Sequence, residues 1–300
     1  MRLPDAFIQN VTHVLGDEGR SWLDALPSLV ASCARTYDLA IGAPFELSFN
    51  YVAPVTRADG SEAVLKLSPH TQDFQHELAA TRYFSGKGMA RLLESDERLG
   101  MALLERVRPG IMLLRLDDDE RQTEIAAEVM LELRREPPPN SALPTTRDWF
   151  QAFAKHRAEH NGGPGPLPLD VFDGGESTYE QLLQSSAAPV MLHGDLHHYN
   201  ILSAERAPWL AIDPHGLVGE PAFETGAYLG NPAGLLARLH PERVIARRVH
   251  IFAERLGLDL ERVIAWGFAF QVLSAVWSAE NEGTGWRNAV SVAQLLRSML

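Results

Sequence analysis

A single cysteine, Cys33, among 300 residues excludes an intramolecular disulfide, and its apolar helical setting marks it as core. The N-terminal stretch Met1-Arg-Leu-Pro-Asp-Ala-Phe-Ile-Gln-Asn10 lacks the apolar region of a signal peptide. Long apolar runs are missing as well. The longest, Val263 to Ala279, contains Gln271, Ser274 and Ser278 and falls short of the ~20 residues a membrane span needs, so it reads as a buried helix. Basic residues are the scarcer charge, 27 against 39 acidic, and the net charge of −12 opposes nonspecific nucleic-acid binding while favouring a cationic small molecule. No repeat of 20 to 50 residues is visible. The composition agrees with the expectation of a cytoplasmic enzyme with a small-molecule ligand; no membrane, no nucleic acid and no protein partner is expected.

What is present centres on His193-Gly-Asp195-Leu-His-His-Tyr-Asn200, followed by Ile212-Asp213-Pro-His-Gly216. Asp195 precedes Asn200 by five positions, and Asn200 precedes Asp213 by thirteen. Phosphoryl transfer needs these residue types: a carboxylate to orient the acceptor hydroxyl and take its proton, and hard oxygen donors to hold Mg²⁺. On that reading Asp195 is the base, Asn200 and Asp213 are the metal ligands, and His193 braces the loop. Ile201-Leu202 and Trp209 to Ile212 read as two short strands, a hairpin that brings Asn200 and Asp213 to one edge. Two other readings stay open at this point. His193, Asp195, His197 and His198 have the spacing of a transition-metal hydrolase cluster, and His-Gly-Asp also occurs as a plain structural turn.

Upstream residues favour the first reading. Lys66 ends the apolar run Ala63-Val-Leu-Lys-Leu67, and Glu77 follows eleven residues later in a helical pattern carried by Phe74, Leu78, Thr81 and Phe84. A strand lysine held by a helix carboxylate is the phosphate clamp of a kinase small lobe. Gly100 to Leu104 then runs into the polar, Pro-Gly-ended segment Glu105-Arg-Val107-Arg-Pro-Gly110, a hinge whose backbone at Glu105 and Val107 is placed to read a nucleotide base. No Gly-x-Gly-x-x-Gly and no Gly-x4-Gly-Lys-Ser/Thr run precedes Lys66; Ser48-Phe49-Asn50-Tyr51 stands there, with Ser48 and Asn50 offering side-chain hydrogen bonds to phosphate.

With these residues in view, the chain resembles the aminoglycoside phosphotransferases of the protein-kinase-like superfamily, in particular the streptomycin 6-phosphotransferase (aminoglycoside/hydroxyurea resistance kinase) branch. Leu47 to Pro54, His193 to Ile201, Ile212 to Glu220 and Leu273 to Ala279 carry the resemblance, which extends over nearly the whole chain. It implies transfer of the ATP γ-phosphate to an antibiotic hydroxyl with Asp195 as base, Asn200 and Asp213 on Mg²⁺, and Lys66 with Glu77 on the phosphates. GTP is not excluded as donor. Other expectations are a metabolic kinase for an amino sugar or amino alcohol and a non-catalytic ATP-binding relative.

The expected architecture is α+β and two-lobed, with a small β-rich nucleotide lobe over residues 1–104, a hinge at 105–110 and a larger, mainly helical lobe over 111–300. Helices are expected at Arg20 to Tyr37, Asp117 to Arg135, Thr145 to His160, Ser177 to Ser186, Pro241 to Leu256, Leu260 to Glu280 and Gly285 to Met299. Carboxylates are the natural partners of a guanidinium-bearing acceptor. Glu220, Glu224, Glu280 and Glu282 are the candidates, and Trp277, one turn before Glu280, offers an aromatic face.

Overall fold

The computed structural model describes residues 2–139, 141–280 and 285–300. The chain separates into two compact units, Met1–Arg108 and Pro109–Leu300. In the small unit five strands form one antiparallel sheet in the order β1-β2-β3-β5-β4: β1 (Leu39–Ile41), β2 (Tyr51–Arg57), β3 (Glu62–Leu67), β4 (Leu92–Asp96) and β5 (Met101–Glu105). Strand alternation assigns its two faces. Tyr51, Ala53, Val55, Leu65, Leu67, Met101 and Leu103 point into the core shared with helix α1 (Asp5–Thr36). Lys66 lies opposite Ala102 and points to the other face, where Ala102 packs with Phe74 and Leu78 of α2 (Gln72–Phe84). The side chain of Thr71 caps α2 by accepting the Phe74 N–H at 3.2 Å.

Helix α1 begins well before the expected Arg20. Gly16 takes φ 58° and bends it, so that Phe7 and Val11 reach the same core as Trp22 and Leu26, with the Phe7 and Trp22 rings edge-to-face at 6.1 Å. The Gly-Asp-Glu-Gly interruption at 16–19 hides this continuity from a periodicity reading.

The large unit is mainly helical: α3 (Asp119–Leu133), α4 (Thr146–Glu159), α5 (Leu169–Gln184), α6 (Thr225–Leu229), α7 (Pro241–Leu256), α8 (Leu260–Glu280) and α9 (Trp286–Arg297). Helix α8 is long and apolar enough by composition to cross a membrane, yet it is largely buried against α5, α6 and α9. Helix α5 starts at Leu169 rather than at the expected Ser177. The Gly174-Gly175 pair in the first half of this helix is a packing feature: a Cβ at Gly175 would lie 2.5 Å from Val272 on α8.

Five short strands complete the unit. Strands β6 (Pro109–Met112), β8 (Ile201–Ala204) and β9 (Trp209–Ala211) form one antiparallel sheet in the order β6-β8-β9, while β7 (Val190–Leu192) pairs with β10 (Leu217–Gly219). The last two residues of the expected hinge therefore belong to a strand, with Pro109 at its first position, where a missing N–H is tolerated. Strands β1, β7 and β10 are only three residues long and gave no alternation to recognise.

Candidate active site

Pairing of Leu192 with Leu217 brings the segment after β7 beside the segment before β10. The N–H groups of His215 and Gly216 both donate to the His193 carbonyl, at 2.9 and 3.1 Å. Gly194, at φ 88°, sits in a strained backbone conformation for any L side chain and in a tight space, since a Cβ would meet His215 Cβ and Trp149 Cη2 at 3.2 Å each. His193 is fully buried and ties the two segments: Nε2–H donates to the Ile212 carbonyl at 2.8 Å, and Nδ1 accepts the Asp195 N–H at 3.3 Å. Burial pushes this imidazole down to about 4, so it is neutral and structural. Below the loop, buried Glu224 accepts the N–H groups of His193 at 2.6 Å and Gly194 at 3.0 Å. Burial drives its carboxyl up to about 7, and these two donors act against that rise.

Asp195 thus starts from a braced backbone. Its carboxylate meets His197 Nε2 at 3.4 Å and His215 Nε2 at 3.9 Å, and 35 % of the side chain remains exposed. Burial raises the Asp195 pKa, but the His197 hydrogen bond and the electrostatic influence of the surrounding imidazoles outweigh it and hold the group below its ordinary value. It is therefore ionised at neutral pH, as a proton acceptor must be.

Asn200 Nδ2 donates to the Asp195 carbonyl at 2.9 Å, which fixes the amide. The Ile212 N–H donates to the Asn200 carbonyl at 2.9 Å, placing Asn200 beside the turn that carries Asp213. Asp213 lies two residues beyond β9, exposed and at φ 63°, a left-handed conformation that Asp tolerates better than most residues. A side-chain amide oxygen and a carboxylate are hard donors, a set that fits Mg²⁺.

His198 points away from this cluster. Its buried ring stacks on Tyr228 at 4.0 Å, and Nε2 accepts from Arg248 Nη2 at 3.3 Å. Arg248, fully buried on α7, also donates to Asp119 at 2.6 and 3.1 Å and to the Asn231 carbonyl at 2.5 Å. Burial, then the Arg248 charge, keeps His198 neutral. His193 and His198 are both engaged by protein, which speaks against the alternative reading of a transition-metal cluster. Among the described residues no group of three or more His, Cys, Asp or Glu is arranged to hold a metal.

In the small unit Lys66 Nζ and Glu77 Oε1 form an ion pair at 2.6 Å, nearly buried on the α2 face of the sheet. Ser48 and Asn50 lie in the bends before β2, neither at positive φ, and the Ser48 carbonyl accepts from Asn10 on α1 at 3.2 Å. The Glu105 N–H donates to the Arg91 carbonyl at 2.8 Å and its carboxylate accepts the Arg91 N–H at 2.9 Å, so of the Glu105 backbone groups the carbonyl is the one that the base-reading expectation falls on, together with the backbone of Val107.

Two substrate candidates are also corrected. Glu220 is 3 % exposed and forms a bidentate ion pair with Arg262 on α8, including Oε2 to Nη2 at 2.6 Å, so its charge is already matched inside the protein. Glu224 serves the loop instead. Trp277 and Glu280 both remain partly exposed near the end of α8; Glu282 lies outside the described residues.

The chain's similarity to known proteins agrees with this site. A family model described as aminoglycoside/hydroxyurea antibiotic resistance kinase matches residues 42–282. The chain belongs to this kinase family. Streptomycin 6-kinase of Streptomyces glaucescens is 31 % identical, with 99 % of this chain and 97 % of that protein aligned. Among solved structures, choline kinase LicA of Streptococcus pneumoniae superposes with a TM-score of 0.65 at 14 % identity, covering 92 % of this chain and 99 % of that one. Aminoglycoside phosphotransferase APH(4)-Ia, in ternary complex with ADP and hygromycin B, gives 0.62 at 13 % identity over 89 % and 97 %. These two likenesses establish the protein-kinase-like fold. For a resistance-kinase family member, two features were missed in the sequence: the Glu224 brace and the Arg248 network. A lone carboxylate inside Pro221-Ala-Phe-Glu-Thr-Gly-Ala-Tyr-Leu229 was the available signal for the first, because a Glu is rarely buried without a partner.

Proposed function

We propose that this kinase transfers the γ-phosphoryl group of ATP to a hydroxyl of a cationic, streptomycin-like aminoglycoside. The observation that carries the reading is Asp195, an ionised carboxylate on a loop held from both sides by His193 and Glu224. The acceptor O–H gives its proton to the Asp195 carboxylate while its oxygen bonds to the γ-phosphorus and the bond to the ADP oxygen breaks. Lys66, oriented by Glu77, offers its ammonium to the nucleotide phosphates. Asn200 and Asp213 would hold Mg²⁺, which neutralises phosphate charge when bound. ATP as donor and the buried thiol of Cys33 fit a cytoplasmic setting.

Asp195→Asn tests this assignment, because the amide keeps the shape and loses the proton acceptor. Phosphoryl transfer should fall by roughly 10²–10⁴ while nucleotide binding persists. Near-normal turnover would remove Asp195 from the role. A panel of streptomycin, another aminoglycoside, hydroxyurea and choline separates acceptor classes, and preference for choline would replace the antibiotic reading with the metabolic one.

A further inference from the structure

The large unit carries a row of rings leading away from the base that no step above uses. Trp149 on α4 meets His215 edge-on at 6.0 Å and Trp277 of α8 at 5.1 Å. Its Cη2 lies against Gly194, next to Asp195, and His215 completes the link with Nε2 3.9 Å from the Asp195 carboxylate. At the far end, one turn past Trp277 on α8, stands Glu280. The two oxygens of Glu280 differ. Oε2 meets Lys155 Nζ of α4 at 3.3 Å, whereas Oε1 is buried and has no hydrogen-bond partner among the described residues. An unpaired carboxylate oxygen shielded from water is costly to maintain. Lys155 cannot relieve that cost well: it is 62 % exposed and shared with Glu159 at 3.8 Å.

We propose that Glu280, Trp277 and Trp149 form the acceptor's cation subsite, in which the acceptor's charged group competes with Lys155 for Glu280. The inference rests on the phosphotransferase reading and adds the class of cation. A planar guanidinium can donate to both carboxylate oxygens at once and lay its face on an indole, which a lysine ammonium cannot do. The acceptor's cation displaces Lys155, satisfies Oε1, and leaves the rest of the molecule running along the ring row toward Asp195.

Calorimetric titration of streptomycin, a bis-guanidinium aminocyclitol, reads binding without turnover; ADP affinity of each variant serves as the check that it is folded. Lys155→Met should tighten streptomycin binding by about 2- to 5-fold, the scale of an exposed charge competitor. Glu280→Gln should weaken it by about 30-fold or more, and Trp149→Leu should weaken it as well. In the Lys155→Met/Glu280→Gln double variant the tightening should vanish, because Lys155 competes only through Glu280. Absent streptomycin binding in the wild type, an unchanged or weaker Lys155→Met, or a tightening that survives loss of Glu280 would overturn the subsite. If the expected binding pattern appears but no acceptor is phosphorylated, the reaction assignment falls and the subsite stands.

Discussion

Replacing Glu224 by glutamine gives the sharpest physical test of how the catalytic loop is held. The carboxyl is buried, and its pKa is driven from 4.5 to about 7, a gap worth about 3 kcal/mol. The direction is opposite to that of a salt-bridged acid. Because the folded state favours the protonated form, this stabilisation is present in full below about 4.5 and is lost as pH rises through about 7. The amide of Glu224→Gln cannot titrate, so the variant lacks that pH dependence. It also turns an NH₂ toward one of the two N–H groups of His193 and Gly194, at a pH-independent cost of about 1–3 kcal/mol. Between pH 8 and pH 5 the wild type should therefore gain about 2–3 kcal/mol relative to Glu224→Gln. Urea unfolding followed by tryptophan fluorescence measures this, since five of the six tryptophans lie in the large unit. Parallel stability curves across that range would show that Glu224 is ionised throughout, and the argument that burial outweighs its backbone donors would fail.

Two further outcomes follow from the geometry. Lys66→Ala should damage ATP use strongly and Glu77→Ala less, with the double variant losing little beyond Lys66→Ala, because the two act as one unit; fully additive losses in kcat/KM would dissociate them. Asp213→Asn should raise the Mg²⁺ concentration for half-maximal rate, with partial recovery at high Mg²⁺; an unchanged half-saturation point counts against Asp213 as a ligand.

Much of the site was legible because its residues cluster in short sequence windows. His193, Asp195 and Asn200 lie within eight positions, and the chemistry constrains both their types and their spacing. Lys66 was legible because alternation along β3 leaves one polar residue in an apolar run, and pairing with Ala102 gives it the α2 face. The misses share a different cause. Glu220 looks like a loop carboxylate until Arg262, forty-two positions away, is packed against it. The start of α5 was missed, and its glycine pair is placed there by a demand that comes from another helix, where Val272 leaves no room for a Cβ at Gly175. The contact of Glu105 with Arg91 is of the same kind, since Arg91 occupies its N–H from a neighbouring segment. Local pattern reports periodicity and chemistry; it does not report partners.

The buried guanidinium of Arg248 bears on the order in which this protein matures. One side chain fastens His198 of the catalytic loop, Asp119 at the start of α3 and the carbonyl of Asn231 after α6, segments separated by up to 129 positions. Bringing such distant pieces together incurs the chain-closure entropy before any contact rewards it. The loop that carries Asp195 should thus become rigid only when α7 docks, late in folding. Helices α8 and α9, adjacent in sequence and in contact, can pair earlier. Hydrogen exchange at the backbone amides of residues 193–200 should then proceed only through global opening of the large unit, and faster local exchange there would contradict this order. A nascent or partly unfolded chain would hold its helices before it holds a working base, which separates the acquisition of structure from the acquisition of activity.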